Sequence, residues 1–346
     1  MAIDIYDSRS LTETINLMIA PETFLINMFW GTPKYHTTDK IDIEIYDGGA
    51  ELAQFVNKEE ESRLVNKRTR AVQTVNIPRT YERKVFTAQE LADFRNVGQI
   101  YLADEAAISR QSDEMISQEL EILKLRVLRR REWMAAVGLD TGALSISQSN
   151  IAFTVNYLYT SNQKVTLTGT DLWSAATTGL PINNIRTWKR SILQRCGIAA
   201  TVLILGTDAS KAFIENDQVQ AYLNKNMGYN SGQLDLSGAG TIAANYLGKV
   251  VGVDVYEYTQ QIDINGTATD MIGTDKAILV AKSTDFRMHF APAYRLSDGG
   301  GLNILNQDML VESTVDRKKT KVEWEVEQKS LPTIHNPNNV ISATVV

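Results

Sequence analysis

A chain of 346 residues with 43% hydrophobic and 22% charged content holds enough apolar material for two or three compact units and a sizeable core. Its net charge of −6 excludes a surface that grips nucleic acid throughout, and its single cysteine, Cys196, excludes an intrachain disulfide and a thiolate metal cluster. No apolar run approaches the roughly eighteen residues of a membrane span. Asp4, Asp7, Arg9 and Glu13 interrupt the apolar core that a signal peptide would need, so a reducing cytoplasm is the expected compartment.

Ser10, followed by Glu13, is the capping-box start of a helix carrying Leu11, Ile15, Leu17, Met18 and Ile19, and Pro21 ends it. The segment Phe24-Leu25-Ile26-Asn27-Met28-Phe29-Trp30 is too apolar to stand in water, and the body of the protein is expected to cover it. From Lys40 to Ile45 apolar and charged residues alternate, the pattern of a strand with one wet face. A second extended run, Arg70 to Phe86, answers it with Val72, Val75, Ile77, Tyr81, Val85 and Phe86. Between them lies a tip dense in both signs of charge: Glu59, Glu60 and Glu61, then Arg63, Lys67, Arg68 and Arg70. Residues 34–88 are therefore expected to form a long two-stranded ribbon. A ribbon is marginal alone in water, so this one is expected to lean on a neighbouring copy of the chain; a disordered polar insertion is the alternative.

Thr87 and Glu90 repeat the capping box. From Asp104 to Val137, Ile108, Met115, Ile116, Leu120, Leu123, Val127 and Met134 recur at helical spacing, with Gly138 as the expected stop. At about 1.5 Å per residue such a helix spans on the order of 50 Å. It lacks a steady heptad, so it reads as a structural spine rather than a coiled coil. Its basic residues Arg126, Arg129, Arg130 and Arg131 alternate with Glu119, Glu121 and Glu132, which suggests a solvated or subunit-facing surface rather than a phosphate site.

Residues 144–170 suggest a polar hairpin, with Ile151 to Val155 answered by Lys164 to Leu167. From 171 to 290 helices alternate with short strands. A helix carrying Ile185, Trp188, Ile192 and Leu193 ends near Gly197, the buried strand Thr201-Val202-Leu203-Ile204-Leu205 follows, and a helix runs from Ala209 to Asn216. The Gly/Ser-rich stretch 228–240 reads as a mobile loop, and strands at Val250–Tyr258 and Lys276–Ala281 flank an Asn265-Gly266 turn. The tail alternates again at Val311–Val315 and Thr320–Glu327. Together these patterns indicate an α+β protein.

Chemistry is sparse. His36, His289 and His335 fall singly in unrelated segments, without ligand spacing. Cys196 reads as a small apolar filler at a helix end. Gly238-Ala239-Gly240-Thr241-Ile242-Ala243 matches a dinucleotide fingerprint in letters but lacks the preceding buried strand, and no phosphate-cradling loop with a following Lys occurs. No catalytic residue, cofactor site or metal site is assigned, and a structural role is expected over an enzymatic one.

The apolar segment Pro21 to Trp30, then Thr37-Thr38-Asp39-Lys40-Ile41, and Val202-Leu203-Ile204-Leu205-Gly206 with its following helix occur in an order that resembles the major capsid proteins of tailed bacteriophages, lambda-type branch. Those proteins share the Hong Kong 97 phage capsid fold with encapsulins. The resemblance implies an N-terminal arm at 1–33, an extended loop at 34–88, a peripheral domain with its spine helix at 89–170, an axial domain at 171–290, and strands returning to the peripheral domain at 291–346. It further implies pentamers and hexamers of an icosahedral shell enclosing double-stranded DNA without sequence specificity. Assembly in the host bacterial cytoplasm, a final place in the virion, and separate scaffolding and decoration proteins belong to the same expectation. Some relatives crosslink a Lys to an Asn; here Lys58 and Lys67 face Asn336, Asn338 and Asn339 as undifferentiated candidates. An encapsulin-type compartment and a nucleotide-dependent enzyme using 238–243 are the alternatives.

Charge is unevenly placed. Residues 1–61 hold four basic and twelve acidic residues, whereas 62–134 hold fourteen basic and ten acidic. Opposite signs in adjacent segments favour head-to-tail contact between copies. The expected subunit contact sets Glu59, Glu60 and Glu61 against Arg129, Arg130 and Arg131 of an adjacent chain.

Overall fold

The alternation at Lys40–Ile45 does what a period of two requires. In the computed structural model, strand β2 (Lys40–Tyr46) buries Ile41, Ile43 and Ile45 and exposes Lys40, Asp42 and Glu44. The structure describes residues 23–46, 70–93, 105–148, 151–226, 244–264, 266–296, 302–305, 307–316, 318 and 320–346. The helix start at Ser10, the loop tip with Glu59, Glu60 and Glu61, and the Gly-rich stretch 228–240 lie outside them.

Before β2 come helix α1 (Phe24–Phe29) and strand β1 (Pro33–Tyr35). Six residues are too few for a stable helix in water, and α1 persists because Phe24, Leu25, Ile26 and Phe29 are buried in the main core. β2 pairs antiparallel with β3 (Arg70–Asn76), from Lys40 opposite Asn76 to Tyr46 opposite Arg70. The expected second ribbon strand is in fact two. Pro78 lacks an N–H for the ladder, and after it β4 (Arg79–Thr87) leaves β2 to pair antiparallel with β18 (Lys321–Ile334). The ribbon base is thus held by its own chain, through Ile41, Ile43, Ile45, Val75 and Ile77 in the main core.

Thr87 and Glu90 form the capping box as read: the Thr87 N–H donates to Glu90 Oε2 at 2.8 Å and the Glu90 N–H to Thr87 Oγ1 at 3.2 Å. Helix α2 (Ala88–Asp93) follows, then the spine, α3 (Glu105–Thr141), 37 residues and about 55 Å long. Ile116, Leu120, Leu123 and Val127 pack with Phe86, Val311, Val322, Trp324 and Val326, while Met134 to Leu139 enter the main core. Gly138 does not stop the helix. It lies under Tyr157, where an added Cβ would sit 3.1 Å from the ring, and the left-handed stop is Gly142 at φ 65°.

Beyond Gly142, β5 (Ala143–Gln148) and β6 (Ile151–Asn156) form a hairpin. This corrects the expected pairing of Ile151–Val155 with Lys164–Leu167. A turn in which Thr160 O accepts from the Gln163 and Lys164 amides redirects the chain. As a result β7 (Lys164–Thr166) runs parallel to β19 (Val340–Thr344) instead.

The next unit contains α4 (Pro181–Cys196), β8 (Val202–Leu205), α5 (Thr207–Glu215), α6 (Asp217–Asn226), β9 (Asn245–Val250) and β10 (Val253–Glu257). A small hairpin of β11 (Gln261–Ile264) and β12 (Thr267–Asp270), then β13 (Lys276–Val280), complete it. α4 ends at the left-handed Gly197, as read from sequence. The six-stranded sheet runs β7-β19-β13-β8-β10-β9. β8 is buried on both faces: Val202 and Ile204 join the main core, while Leu203 and Leu205 join a second cluster with Trp173, Ile185, Trp188 and Phe213. Burial on both sides is why this strand reads as an unbroken apolar run.

The second sheet comprises β14 (Phe286–Phe290), β1, β17 (Leu310–Val315), β4 and the 14-residue β18, its hub. Lys321 to Lys329 pair with β4, and Ser330 to Ile334 with β14. β15 (Ala293–Leu296) and β16 (Leu302–Leu305) make a separate hairpin. The expected boundary at 290/291 therefore cuts across the sheets. β14 belongs with β18 because Phe286, Met288 and Phe290 share the main core with Leu331 and Ile334, and the final strand, β19, returns to the six-stranded sheet.

Candidate functional site

The expected contact residues Arg129, Arg130 and Arg131 lie on the spine, where successive residues turn by about 100°. Three consecutive arginines cannot share a face. Arg129 is exposed. Arg130 is half-buried, its guanidinium 4.3 Å from the Trp133 ring centroid. Arg131 is only 8% exposed and its Nη1 donates to Asp308 Oδ1 at 2.9 Å, an atom that also accepts from Gln328 Nε2 at 2.9 Å. Arg126 reaches Glu82 of β4 at 2.9 Å, and Lys84 of β4 pairs with Glu119. Much of the basic character read from this helix is therefore used inside the chain, fastening the spine to the second sheet. Glu59, Glu60 and Glu61 lie outside the described residues.

On the side of β18 opposite Val322, Trp324 and Val326 stand Glu323, Glu325 and Glu327. Glu312 of β17 and Arg83 of β4 lie across from Glu325. Like charges directly opposite destabilise a sheet, and arginines offset them here. Glu327, whose side chain is 3% exposed, accepts from Arg79 Nε at 2.7 Å and Nη2 at 2.9 Å, and from Arg295 Nη2 at 2.6 Å. Burial would raise its carboxyl, but the hydrogen bonds and charges of Arg79 and Arg295 outweigh that and hold it below the usual carboxylate range. Arg295 Nε also donates to Glu312 at 2.5 Å. Together Arg79, Glu327, Arg295 and Glu312 bind β4, the strand returning from the loop, to β18 and to the β15 hairpin.

Sequence reasoning placed Glu132 in the solvated charge pattern of the spine. It is instead 1% exposed beneath α1, its Oε1 accepting from the Leu25 N–H at 2.7 Å and its Oε2 from the Ile26 N–H at 3.2 Å. These are early amides of α1 that its own helix cannot satisfy. The Tyr258 hydroxyl lies 3.2 Å from Oε1. Burial pushes the carboxyl up to about 7, against the lowering effect of those bonds and of Arg131. A lone glutamate following an arginine on a charged helix gives no sequence signal of this role.

The tail asparagines are also engaged. Asn336 Oδ1 accepts from the Asn338 N–H at 3.1 Å, Asn338 Oδ1 from Gln163 Nε2 at 2.7 Å, and Asn339 Nδ2 donates to Asp285 Oδ2 at 2.8 Å. Lys58 and Lys67 lie outside the described residues. Cys196 is partly buried against the second cluster, and its thiol donates to Ile192 O at 3.1 Å. Among the described residues no helix is long and apolar enough to cross a membrane, and no group of three or more His, Cys, Asp or Glu is arranged to hold a metal ion. The arrangement joins segments of chain: Arg79, Arg126, Arg131 and Arg295 each pair with a carboxylate on another segment, while the buried Nε of Arg131 has no hydrogen-bond partner among the described residues.

The family described as phage major capsid protein E matches residues 7–345. A prophage capsid protein from Escherichia coli CFT073 has a similar structure, with a TM-score of 0.70 at 11% identity over 98% of this chain and 99% of that one. A phage-related protein from Bordetella bronchiseptica RB50 superposes with a TM-score of 0.55 at 14% identity, over 99% and 98% of the two chains. An encapsulin from Synechococcus elongatus PCC 7942 reaches 0.46 at 10% identity over 95% and 91%, too distant to argue for the compartment alternative. No curated protein matches the chain in sequence.

Proposed function

The chain belongs to the phage major capsid protein E family, and from that premise we propose how it builds a shell. It is a structural protein, the major subunit of an icosahedral phage head. In our reading it forms pentamers and hexamers in the host bacterial cytoplasm and encloses double-stranded DNA without sequence specificity, with separate scaffolding and decoration proteins. The net charge of −6 fits a wall that must not adhere to the DNA it encloses. Catalysis has no part in this reading.

Within the subunit we assign 1–33 to an arm, 34–88 to an extended loop, 89–170 to a peripheral unit with the spine, 171–290 to an axial unit and 291–346 to returning strands, with β14 and β19 exchanged between the last two. The observation that carries the assembly mechanism is the anchored base of the loop. β2 and β3 keep register up to Tyr46 opposite Arg70 on the main core, and β4 is tied to β18 through Arg79 and Glu327. A rigid base lets residues 47–69 work between subunits. Their Glu59, Glu60 and Glu61 would meet basic groups of an adjacent spine, Arg129 first and Arg130 next; Arg131 is committed to Asp308 in its own chain.

Because Tyr46 and Arg70 are opposite one another, residues 47–69 can be replaced by Asn-Gly, a two-residue hairpin turn. Electron microscopy of the purified replacement should show folded capsomers or free subunits but no closed shells. Shells of normal size would overturn the assembly role. In a second arm, Lys at 59, 60 and 61 should block assembly and Glu at 129 and 130 should partly restore it. A double reversal no better than the single one would rule out the pairing alone.

A further inference from the structure

Three histidines that the sequence scatters are stacked by the fold. His36 follows β1, His289 lies in β14 and His335 follows β18, and β14 lies between β1 and β18. The rings of His36 and His289 stack with centroids 5.0 Å apart, and those of His289 and His335 lie 5.7 Å apart. His289 and His335 are buried, and His36 is half-buried. Their nitrogens form a chain: His36 Nε2 to His289 Nδ1 at 2.7 Å, His289 Nε2 to His335 Nε2 at 3.5 Å, and His335 Nδ1 to the Glu44 carbonyl oxygen at 2.7 Å.

A carbonyl oxygen can only accept, and this fixes the direction of the whole chain. His335 must carry its proton on Nδ1 and donate to Glu44 O. Its Nε2 is then a bare acceptor for the His289 Nε2–H, while the nearby Thr333 hydroxyl (3.2 Å) has Arg287 O as its own acceptor at 3.1 Å. His289 Nδ1 is bare in turn and accepts from the His36 Nε2–H. One arrangement of three neutral rings satisfies every bond. The central ring uses its two nitrogens in opposite directions, so a single ion cannot collect all three residues. This is a hydrogen-bonded relay.

A further proton has no place inside the relay. On His289 Nδ1 it would point at the His36 N–H; on His335 Nε2 it would break the bond from the His289 N–H and turn instead to the Thr333 hydroxyl oxygen at 3.2 Å. Lys34 from β1 and Arg287 from β14 face the cluster and oppose added charge; Asp285, just before β14, favours it at His335. Asp285 is engaged by Tyr46, Ser283 and Asn339. Glu44 offers its backbone oxygen, its carboxylate being paired with Arg70. Burial lowers all three rings, His289 to about 3.

The relay joins both ends of the chain entering the loop. Near one end His36 N–H donates to Phe290 O at 2.9 Å, and at the other Tyr46 N–H donates to His335 O at 3.0 Å. We propose that His36, His289 and His335 form a proton-gated latch that holds residues 33–46 on the second sheet while the rings are neutral and releases that segment on acidification. Released rings titrate near 6.5 and folded ones lower, so the folded state binds fewer protons. The latch is fully closed above about 6.5 and loosens as pH falls toward the lowered values, by about tenfold per pH unit for each ring that gains a proton on opening.

The test uses the full-length protein, with ring protonation read by histidine C2 hydrogen exchange and backbone protection read by amide exchange, both by mass spectrometry. His289 should titrate at least about one pH unit below 6.5. Protection of 33–46 should fall at least about tenfold between pH 7 and 5, while 202–205 in the buried β8 stays constant. His289→Asn, which keeps an acceptor near the Nδ1 position without titrating, should flatten that fall at least about threefold. If that variant does not fold, His36→Gln at the exposed end gives the same reading. Titration of His289 near 6.5, protection of 33–46 that is independent of pH or falls in step with 202–205, or an unchanged profile in the folded variant would overturn the latch.

Discussion

Replacing Glu132 by Gln isolates one buried carboxyl from every other titrating group. Glu132 is the acceptor that docks α1 on the spine, through the Leu25 and Ile26 amides at 2.7 and 3.2 Å. Its carboxyl is raised from 4.5 to about 7, chiefly by burial, so between those values the folded protein keeps a proton that the unfolded chain has released. That stabilisation is complete below about 4.5 and is lost as pH rises through about 7; the gap corresponds to about 3 kcal/mol. Gln does not titrate, and all other groups cancel in the comparison. The stability of the wild type minus that of Glu132→Gln should therefore fall by about 3 kcal/mol from pH 4.5 to 8.5. The constant offset comes from the hydrogen bonds. One Gln oxygen cannot serve both amides, and an orphaned buried N–H costs about 1–3 kcal/mol. The variant should be the weaker protein at pH 4.5 and should equal or exceed the wild type at pH 8.5. Guanidinium unfolding followed by tryptophan fluorescence, repeated across that range, measures both. A difference that does not change with pH, or that grows as pH rises, would show that Glu132 is charged and adequately solvated in the folded chain.

Glu327→Ala leaves Arg79 and Arg295 without their shared acceptor. Arg79 can turn to water, so the loss should be about 1–3 kcal/mol, seen as faster amide exchange in 79–87 and 321–329; unchanged exchange there would mean that β4 is held by its backbone ladder alone. Gly142→Ala must place a Cβ 2.2 Å from the Tyr159 ring at φ 65°, whereas Gly197→Ala at φ 74° meets open space. The first should cost about 3 kcal/mol or more and the second about 1 kcal/mol in the same unfolding assay, and equal costs would contradict the crowding argument. Trp324→Ala, in the cluster between spine and sheet, should cost about 3–5 kcal/mol by the same assay; a loss below 1 kcal/mol would mean that this cluster repacks freely.

The sequence alone determined the features whose cause is local. A period of two from Lys40 to Ile45 set which residues of β2 are buried, Thr87 and Glu90 marked a helix start, Gly197 marked a helix end, and Val202 to Leu205 read as a buried strand. Each follows from residues within one or two turns of chain, where steric limits and hydrogen-bond reach do not depend on the rest of the molecule. The order of these elements also carried the resemblance to capsid proteins.

Partners were a different matter. A period of two names the buried face of a strand but not its neighbour, so β4 looked like half of a ribbon with β2 when its ladder is with β18, some 240 residues later. Gly138 is the expected helix stop in sequence, but the helix continues past it under the Tyr157 ring to the left-handed Gly142. Arg131 and Glu132 continue a charged pattern in sequence, yet the spine turns one toward Asp308 and the other toward α1. The three histidines meet because β1, β14 and β18 are adjacent in one sheet. Such pairings are decided by which apolar faces cover one another across the whole chain, and that is a property of the packed core rather than of any segment within it.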